Sequence, residues 1–280
     1  MITAGADITS VYHAATTLRF YNGHVRTRHT PTVVLLDLDD TLFDHELSAR
    51  QALRHVHDAS AAFAEWPFDA FEAAHAQVLE ELHLDVLAGR RTVDQAREER
   101  FRRLLAEVRA SAGEGVVRQT AVSYRQAYQA ARRAVSGAVE LLAAIKTRAR
   151  VGIISNNILE EQQGKIALCG FESYIDVLAV SEAVGAAKPD PAIFEYALRE
   201  LSVPASEAVM IGDSWIADIA GALAAGIRPI WFNRSNRPAP AGTPDVSQIA
   251  SLTPAAAVLD VIFETSTRAD IQADVRCASA

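Results

Sequence analysis

Short, uninterrupted runs of apolar residues recur along the chain, and polar clusters follow several of them. The first run, Val33–Leu36, leads directly into Asp37-Leu38-Asp39-Asp40-Thr41. Similar runs, the last of them weaker, lie at 151–154, 177–180, 208–211, 229–232 and 246–249. A short apolar run bounded by polar residues is typical of a strand that is buried on both faces, as in parallel sheets. The pattern therefore predicts six strands, and the first should stop near Asp37 because Asp is a poor strand former.

Between these runs the apolar residues recur at three- and four-residue spacing, which predicts helices. Beyond residue 136 the predicted helices alternate with the strands, at 137–145, up to about 168, at 192–201, at 216–225 and around 259–263. Alternation of this kind indicates a doubly wound parallel sheet, so the predicted fold class is α/β.

Residues 46–134 interrupt this alternation. Strand signals are absent there, and the apolar residues keep to helical spacing. Pro67 suits a helix start, Gly89 suits a helix end, and Thr92-Val93-Asp94-Gln95 is typical of a capping box. The segment therefore predicts an inserted domain of about four helices.

The chain is accordingly expected to consist of four parts. These are an N-terminal extension (1–31), an α/β core (32–45 and 135–264), the helical insertion (46–134) and a polar tail (265–280). A short strand at Thr16–Tyr21 is the one element predicted in the extension. The rest of the extension and the tail are expected to be loosely ordered.

Composition narrows the classes of function. The 280 residues carry a net charge of −8, which argues against nucleic acid or an anionic membrane as a partner. The only cysteines are Cys169 and Cys277, so no disulfide framework is expected. No apolar stretch is long enough to span a bilayer, and the first 31 residues lack an apolar segment of the signal-peptide type. We therefore expect a soluble, cytoplasmic protein.

The acidic residues after the first strand are the first candidate for chemistry. Asp37 and Asp39 lie two residues apart in extended chain, so their side chains point to the same side, at the edge where open α/β sheets bind ligands. Carboxylates this close repel each other unless a cation intervenes. A shared divalent cation such as Mg²⁺ would resolve this, as would a nucleophile beside a general acid/base, and the two can coexist. The simpler alternative is an acidic turn in which Asp or Thr41 caps a helix.

Two later strands end in polar clusters of a similar kind. Ser155-Asn156 offers a hydroxyl and free amides at a helix start, which is a common phosphate site, although both residues are also ordinary helix caps. Gly212-Asp213-Ser214 ends the fourth strand, and Asp213 could complete an oxygen site for Mg²⁺ with Asp37 or could simply cap a helix. Asp218, about one helical turn farther on, could orient a ligated water or a lysine.

Lys188 is one of only three lysines, with Lys146 and Lys165. Pro189 and Pro191 stiffen the backbone around it. A cation here could balance the acidic cluster and hold a phosphate oxygen, although a single lysine is more often a solvated surface group. The order of acid pair, hydroxyl, lysine and acid pair, each at or just beyond a strand end, is much more specific than any one of these features.

Together these segments resemble the motifs of the haloacid dehalogenase-like (HAD) hydrolase superfamily. The matching segments are Asp37-Leu38-Asp39-Asp40-Thr41, Ser155-Asn156, Lys188-Pro189 and Gly212-Asp213-Ser214 with Asp218. The resemblance covers about residues 33–264, and it implies a Rossmann-like HAD core with the helical insertion as a cap domain of the family's first type. Within the family, Asp39-Asp40-Thr41-Leu42 and Ile230-Trp231-Phe232-Asn233 are similar to the branch of nucleotidases and N-acylneuraminate-9-phosphatases.

The resemblance implies a role for each motif residue. Asp37 would be the nucleophile that forms an aspartyl-phosphate, and Asp39 would protonate the leaving oxygen and later activate water. Mg²⁺ would be held by Asp37, the main-chain carbonyl of Asp39 and Asp213. Ser155 and Lys188 would bind the phosphoryl group.

Other residues would support these roles or contact the substrate. Asp218 would support Lys188 or a metal-bound water, and Thr41 is a further supporting residue. Candidate substrate contacts are Asn156, Phe43 and Asp44 in the core, and Trp66, Phe68, Arg97 and Arg100 in the insertion. For the candidates in the insertion, and for Phe43 and Asp44, packing or solvation is the more common role of such residues.

The implied activity is a Mg²⁺-dependent phosphomonoesterase that acts on a small phosphorylated metabolite, with a nucleoside 5′-monophosphate as the favoured substrate. A sugar-phosphate phosphatase or phosphomutase is the enzymatic alternative. Carbon–halogen cleavage is disfavoured because Asp39 is present, and Schiff-base phosphonate hydrolysis because residues 46–134 contain no lysine. A phosphate-binding regulatory or scaffold protein is the alternative without an enzymatic activity, although such a protein would not need every motif.

Overall fold

A six-stranded parallel sheet forms the centre of the structure. The computed structural model describes residues 30–87, 89–108 and 113–263. The strands are β1 (Val33–Leu36), β2 (Arg150–Ser155), β3 (Val177–Val180), β4 (Ala208–Gly212), β5 (Arg228–Phe232) and β6 (Ser247–Ile249), and their order in the sheet is β3-β2-β1-β4-β5-β6. Each lies within one residue of its predicted bounds at either end. The strand predicted at Thr16–Tyr21 and the tail 265–280 lie outside the described residues.

Helices cover both faces of this sheet. They are α5 (Ala138–Lys146), α6 (Leu159–Cys169), α7 (Ser181–Val184), α8 (Pro191–Glu200), α9 (Gly221–Ala224) and α10 (Ala255–Phe263). Successive residues of β1 point to opposite faces. Val34 packs in one buried cluster with Leu141 of α5 and Ile262 of α10, and Val33 packs in another with Phe194 of α8. The predicted doubly wound α/β fold is therefore confirmed.

The insertion consists of four helices with their own apolar core. The helices are α1 (His45–Ala59), α2 (Phe68–Leu87), α3 (Val93–Glu107) and α4 (Glu114–Ala131). Phe63, Phe71 and Phe101 are fully buried between them. The predicted capping box is present, since Thr92 Oγ1 accepts from the N–H of Gln95 at 3.1 Å and Gln95 Oε1 accepts from the N–H of Thr92 at 2.9 Å. No helix in the described ranges is both long and apolar enough to cross a membrane.

The insertion enters and leaves through two segments that are bonded to each other, 42–44 and 133–135, which we call the neck. The N–H of Asp44 donates to the carbonyl of Arg133 at 3.0 Å, and the N–H of Val135 donates to the carbonyl of Leu42 at 2.8 Å. Both segments adjoin the core, because residue 42 follows β1 by six positions and residue 135 immediately precedes the turn into α5. The helical insertion is therefore anchored next to the carboxyl end of β1.

Candidate active site

Asp37 lies at the carboxyl end of β1, in the middle of the sheet. Because β1 pairs with β2 and β4, the loops that follow these three strands meet at one edge. The N–H of Asp37 donates to the carbonyl of Ile211 in β4 at 2.9 Å, so the hydrogen-bond ladder continues to the residue itself. Its side chain is buried. The sheet therefore holds this carboxylate in a fixed place among the later loops.

Lys188 connects Asp37 with Asp218. Its Nζ lies 2.5 Å from Oδ1 of Asp37 and 2.7 Å from Oδ1 of Asp218, and the lysine is buried. Burial alone would lower the pKa of Lys188, but Asp218 and Asp37 outweigh burial and raise that pKa above its usual value. The side chain of Asn156 donates to the carbonyl of Lys188 and accepts from its N–H, both at 2.7 Å. Lys188 is thus a fixed cation beside the predicted nucleophile.

The turn after β4 positions Asp218. A π-helical turn, Trp215–Ala220, begins here, and Oδ2 of Asp218 accepts from the N–H of Ser214 at 2.9 Å. Gly212 makes this approach possible, since a Cβ at this position would lie 2.3 Å from Cγ of Asp218. Single π-helical turns are frequent at functional sites, where they redirect a side chain. The sequence predicted an ordinary α-helix over 216–225. The structure instead has the π-helical turn at 215–220, followed by α9.

Three carboxylates form a cluster that could hold a metal ion. One oxygen each of Asp37, Asp213 and Asp218 lies within 4.8 Å of the others. Burial raises the pKa of Asp37 against the opposing charge of Lys188, and Asp218 and Asp213 raise it further. Burial, and then Asp218, raise the pKa of Asp213 to about 6. Oxygen ligands of this kind suit Mg²⁺.

The charge of Lys188 does not fully compensate the negative charge of this cluster. Oδ2 of Asp37 is buried and has no hydrogen-bond partner among the described residues. The main chain at Asp213 is held in place, because Nε1 of Trp231 donates to its carbonyl at 2.9 Å. A divalent cation would compensate the carboxylates that Lys188 alone does not balance. These residues therefore fit the predicted metal site, and the structure adds Asp218 to the group.

Asp39 contacts side chains different from those at Asp37: two on α6 and one in the loop before it. Nζ of Lys165 lies 2.6 Å from Oδ1 and 2.8 Å from Oδ2 of Asp39, and Nε2 of Gln162 donates to Oδ2 at 2.8 Å. Nδ2 of Asn157 donates to the same oxygen at 3.2 Å. Burial opposes ionisation of Asp39, but Lys165, His45 and Gln162 outweigh it and hold the pKa below its usual range. The two predicted catalytic carboxylates thus lie in different electrostatic surroundings.

Ser155 ends β2 with a buried hydroxyl. Nε2 of Gln162 donates to Oγ of Ser155 at 2.5 Å, and the same amide group reaches Asp39. Thr41 is fully buried, and its Oγ1 has no hydrogen-bond partner within the described part of the chain. Both hydroxyl residues flank the loop that carries Asp37 and Asp39. The structure therefore groups the predicted phosphoryl-binding serine with the acid pair.

Phe43 and Asp44, expected to contact substrate, lie in the neck instead. Phe43 is fully buried, and its ring centroid lies 5.2 Å from Nζ of Lys165. The carboxylate of Asp44 lies 3.1 Å from Nη1 of Arg234 and 3.7 Å from Nε of Arg133. Packing and charge balance account for both side chains, and their contact with substrate stays a prediction.

The insertion contributes polar groups near the acid pair. The ring of His83 in α2 contacts the main chain of Asn156, and it lies close enough to Asp39, Lys165 and Arg100 for their charges to act on it. Burial lowers the pKa of His83; Asn156 opposes this shift, and Arg100 adds to it. The face of α2 that carries His83 is therefore turned toward the carboxyl edge of the sheet.

Arg100 of α3 is a buried guanidinium that pairs with no carboxylate of the described residues. It is 8% exposed, its Nη1 contacts Nε2 of His75 at 3.2 Å, and its Cζ lies 5.8 Å from the ring centroid of Tyr124. Its Nε has no hydrogen-bond partner among the described residues. A buried charge without a counter-ion is unfavourable. A ligand with an anionic group would compensate it.

The other candidate contacts of the insertion have protein partners. Arg97 forms ion pairs with Glu161 of α6 and, at 2.8 Å, with Asp94. Trp66 and Phe68 pack in the aromatic core of the insertion. Arg97 thus joins the insertion to the core, while the two aromatic residues stabilise the insertion itself.

Gln162 and Lys165 are site residues that the sequence pattern did not identify. They lie three positions apart on one face of α6, a spacing that also fits a solvated surface. The available signal was the scarcity of lysine, since two of the three lysines are buried against the two acid-pair residues.

Comparisons with known proteins agree with this geometry. A family model described as haloacid dehalogenase-like hydrolase matches residues 31–226. The chain is 31% identical over 220 residues to the pyrimidine 5′-nucleotidase YjjG of Escherichia coli (strain K12), covering 78% of this chain and 93% of that protein. It is 32% identical over 98 residues to the N-acylneuraminate-9-phosphatase of Mus musculus, covering 35% and 40%.

A solved structure shows the same fold. The HAD-hydrolase YfnB of Bacillus subtilis, solved bound to magnesium, gives a TM-score of 0.63 at 24% identity and covers 83% of this chain and 100% of that one. The family match spans the loops that carry Asp37, Ser155, Lys188 and Asp213. The chain therefore belongs to the haloacid dehalogenase-like hydrolases and is a phosphatase of the branch that contains the nucleotidases and N-acylneuraminate-9-phosphatases.

Proposed function

We propose that the protein is a Mg²⁺-dependent phosphomonoesterase that works through an aspartyl-phosphate on Asp37. The observation that carries this proposal is the buried Oδ2 of Asp37, which has no hydrogen-bond partner among the described residues and lies beside Lys188 and within the acidic cluster. Since Lys188 holds Oδ1, Oδ2 is the oxygen that can attack phosphorus, and the same carboxylate can also ligate the metal. Asp39 supplies a second carboxyl group in a different environment, which suits the separate task of proton transfer.

The first half-reaction transfers the phosphoryl group to the protein. Oδ2 of Asp37 forms a bond to phosphorus as the bond from phosphorus to the ester oxygen breaks. Lys165 favours the ionised form of Asp39, so Asp39 must be protonated when the substrate is bound, and it then gives that proton to the ester oxygen. Ser155 and Lys188 bind the phosphoryl oxygens. The attack brings two anions together, at a cost of about 4 kcal/mol per pair of unit charges at 4 Å. Lys188 offsets this repulsion, and Mg²⁺, held by Asp37, Asp213 and the main-chain carbonyl of Asp39, would neutralise further negative charge.

The second half-reaction releases phosphate. Asp39 takes a proton from water, the water oxygen bonds to phosphorus, and the bond between phosphorus and Asp37 breaks. Asp37 returns to its carboxylate form, and Asp39 regains the proton that it gave. Asp218 keeps Lys188 in place during both steps through the contact of 2.7 Å. Water is the only co-reactant that the two half-reactions require.

The substrate is a small phosphate ester, with a nucleoside 5′-monophosphate as the favoured class. The core handles only the phosphoryl group, so the alcohol part is recognised by the insertion that covers the site. The similarity to the nucleotidase YjjG along 78% of the chain supports a nucleotide. A net charge of −8 disfavours a nucleic acid as substrate. A cytoplasmic site of action fits a chain with two cysteines.

Arg100 favours a second candidate, a sugar phosphate or similar ester whose alcohol part carries an acidic group. Its guanidinium is buried on the insertion side, and in the part of the chain that the structure describes it pairs with no carboxylate. A carboxylate or second phosphate of the substrate would pair with it bidentately. A nucleoside would offer it only uncharged acceptors, namely ring nitrogens, hydroxyl groups and carbonyl oxygens, so the two candidates differ in the charge of the alcohol part.

A substrate panel tests both the activity and the choice of class. Phosphate release is measured with Mg²⁺ for nucleoside 5′-monophosphates, neutral sugar phosphates, phosphorylated acids and a phosphopeptide. Preference for a nucleotide supports the first candidate, and preference for a phosphorylated acid, abolished in Arg100→Met, supports the second. Isomerised sugar phosphate without net phosphate release would indicate a phosphomutase. Phosphate binding without turnover of any ester would support a regulatory protein and overturn the proposal.

A further inference from the structure

Two side chains of α6 hold the carboxylate of Asp39 from one side. Lys165 contacts both of its oxygens, at 2.6 and 2.8 Å, and Gln162 contacts one of them at 2.8 Å. Residues three apart on a helix lie on the same face. Both side chains are buried, with relative exposures of 0% for Gln162 and 2% for Lys165. The shortest contacts of this carboxylate therefore come from one helix, and Asn157 in the loop before α6 adds a longer one at 3.2 Å.

In the described part of the chain, no carboxylate other than that of Asp39 forms an ion pair with Lys165. The ring of Phe43 lies 5.2 Å from its Nζ, where a cation is attracted to the aromatic face. A lysine enclosed in this way has its charged end confined to a single direction. That direction is toward Asp39.

Gln162 links Asp39 to the phosphoryl-binding side of the site. Its Nε2 donates both to Oδ2 of Asp39 and to Oγ of Ser155, at 2.8 and 2.5 Å. A shift of α6 would therefore move the acid/base carboxylate and the serine hydroxyl together. Such a connection keeps constant the distance between the group that transfers protons and the group that binds the phosphoryl oxygens.

We propose that Gln162 and Lys165 are positioning residues that fix the orientation of Asp39 for proton transfer; Lys165 acts on catalysis only through that carboxylate, and Gln162 acts through it and through Ser155. This inference rests on the proposed function, because it needs Asp39 as the acid/base. Neither residue exchanges a proton with the substrate. A buried lysine paired with a partly buried carboxylate is expensive to desolvate, and an apolar pair would stabilise the core at least as well. The geometry therefore points to a demand of the reaction rather than of folding.

Kinetics of Lys165→Met test the proposal. A misplacement of about 1 Å costs on the order of a hundredfold in rate, so kcat should fall by about that factor while KM changes little. The loss should be greater for an alkyl phosphate, whose leaving oxygen needs a proton, than for p-nitrophenyl phosphate. Gln162→Leu should show the same selectivity. Lys165→Arg, which keeps the charge, should recover part of the rate.

Lys146→Met is the matched control. Lys146 also pairs with a single aspartate, Asp176, at 2.5 Å, but it lies at the amino ends of β2 and β3, opposite the site. This variant should keep the wild-type kcat. An equal loss of rate in both lysine variants would assign the effect to general damage to the fold and would overturn the proposal.

A double-mutant cycle decides whether Lys165 acts through Asp39. Lys165→Met is measured in wild-type protein and in Asp39→Asn, with p-nitrophenyl phosphate and Mg²⁺. The proposal expects the double variant to be no slower than Asp39→Asn alone. If Lys165→Met slows both backgrounds by the same factor, or lowers only the melting temperature while kcat is unchanged, the positioning role is excluded. Absence of turnover by the wild-type protein would instead overturn the proposed function itself.

Discussion

At the scale of single residues, the site separates two carboxylates by the cations that each one meets. Lys188 lies between Asp37 and Asp218, while Lys165 lies against Asp39. Asp37 also belongs to the acidic cluster, and its Oδ2 has no hydrogen-bond partner among the described residues. The same residue type can therefore act as nucleophile at one position and transfer protons at the other.

Asp37→Asn should abolish turnover without unfolding the protein. An amide is a poor nucleophile, and the residue lies at a strand end where its contribution is chemical. We expect kcat to fall by about a thousandfold or more, as is usual for loss of a nucleophile. The test combines phosphate release with circular dichroism of the same sample. A folded variant that keeps more than a few per cent of the wild-type rate would contradict the assignment.

Asp39→Asn should trap the phosphorylated protein. With an activated ester the leaving oxygen needs no proton, so Asp37 can still be phosphorylated, but the water of the second step lacks its general base. Mass spectrometry of protein quenched during turnover should show one added phosphoryl group, located on Asp37 by peptide mapping. A burst of leaving group without any adduct would exclude this division of roles.

Removal of the metal should stop the reaction, and Asp213→Ala should have a similar effect. Asp213 supplies a carboxylate to the acidic cluster, so its loss weakens the site for a divalent cation. Activity should disappear in excess chelator and return with Mg²⁺. The variant should need a much higher Mg²⁺ concentration or remain inactive. Full activity of the wild-type protein in chelator would contradict the metal site.

The sequence predicted most of this site because its polar residues directly follow the apolar runs that form the strands. Asp37, Lys188, Asp213 and Asp218 lie in loops whose position follows from the sheet order. Lys165 was not predicted as a site residue, because its contact with Asp39 depends on how α6 is rotated about its axis. That rotation is set by packing in three dimensions, which local spacing does not report.

At the scale of elements, the end of β4 and the π-helical turn together set the position of the Asp218 side chain. Gly212 provides the space in which Asp218 folds back toward the strand, and Ser214 fixes its carboxylate at 2.9 Å. The short strand could be predicted from its apolar run. The π-helical turn could not, because it differs from an α-helix by one inserted residue and has no distinct apolar period.

Gly212→Ala should therefore damage the site more than the fold. The new Cβ would lie 2.3 Å from Cγ of Asp218, so that side chain must move and Lys188 loses one of its two carboxylates. We expect a loss of stability of about 1–3 kcal/mol, with a fall in kcat of about a hundredfold.

Gly115→Ala is the control for Gly212→Ala. Gly115 lies in α4, and no atom would meet its Cβ within 4 Å. Alanine favours a helix over glycine by up to about 1 kcal/mol, so this variant should be as stable as wild type or more so. Urea unfolding and phosphate release measured on both variants give the comparison. Wild-type activity in folded Gly212→Ala would contradict the proposed packing.

At the scale of the whole molecule, acid should weaken the fold through His75. This histidine of α2 is 2% exposed and faces Arg100 and Phe101 of α3 and Tyr124 of α4. Burial, then the charges of Arg100 and His45, hold the pKa of His75 well below its ordinary value of 6.5. As the pH falls below 6.5, the unfolded chain binds a proton that the folded chain excludes. The free energy of unfolding should then decrease by up to about 1.4 kcal/mol per pH unit, until the folded protein itself binds that proton.

Replacement of His75 by Gln isolates this contribution. Glutamine keeps an acceptor for Arg100 but does not titrate in this range. The urea midpoint should drop less between pH 7.5 and pH 5 in His75→Gln than in wild type. His55→Gln, at an exposed position of α1, should keep the full dependence on pH. Identical slopes in His75→Gln and wild type would exclude His75 as the cause.

The neck has a consequence for how this protein can diverge. Its two segments are hydrogen-bonded to each other through Asp44 and Arg133, and through Leu42 and Val135. The ends of the insertion therefore stay paired whatever lies between them, and the register of β1 with its neighbours does not depend on the helices beyond. Sequence between residues 46 and 131 can be lengthened, shortened or exchanged by recombination without displacing Asp37. Preference for a new alcohol can thus be acquired as a separable module, while the phosphoryl chemistry is inherited unchanged.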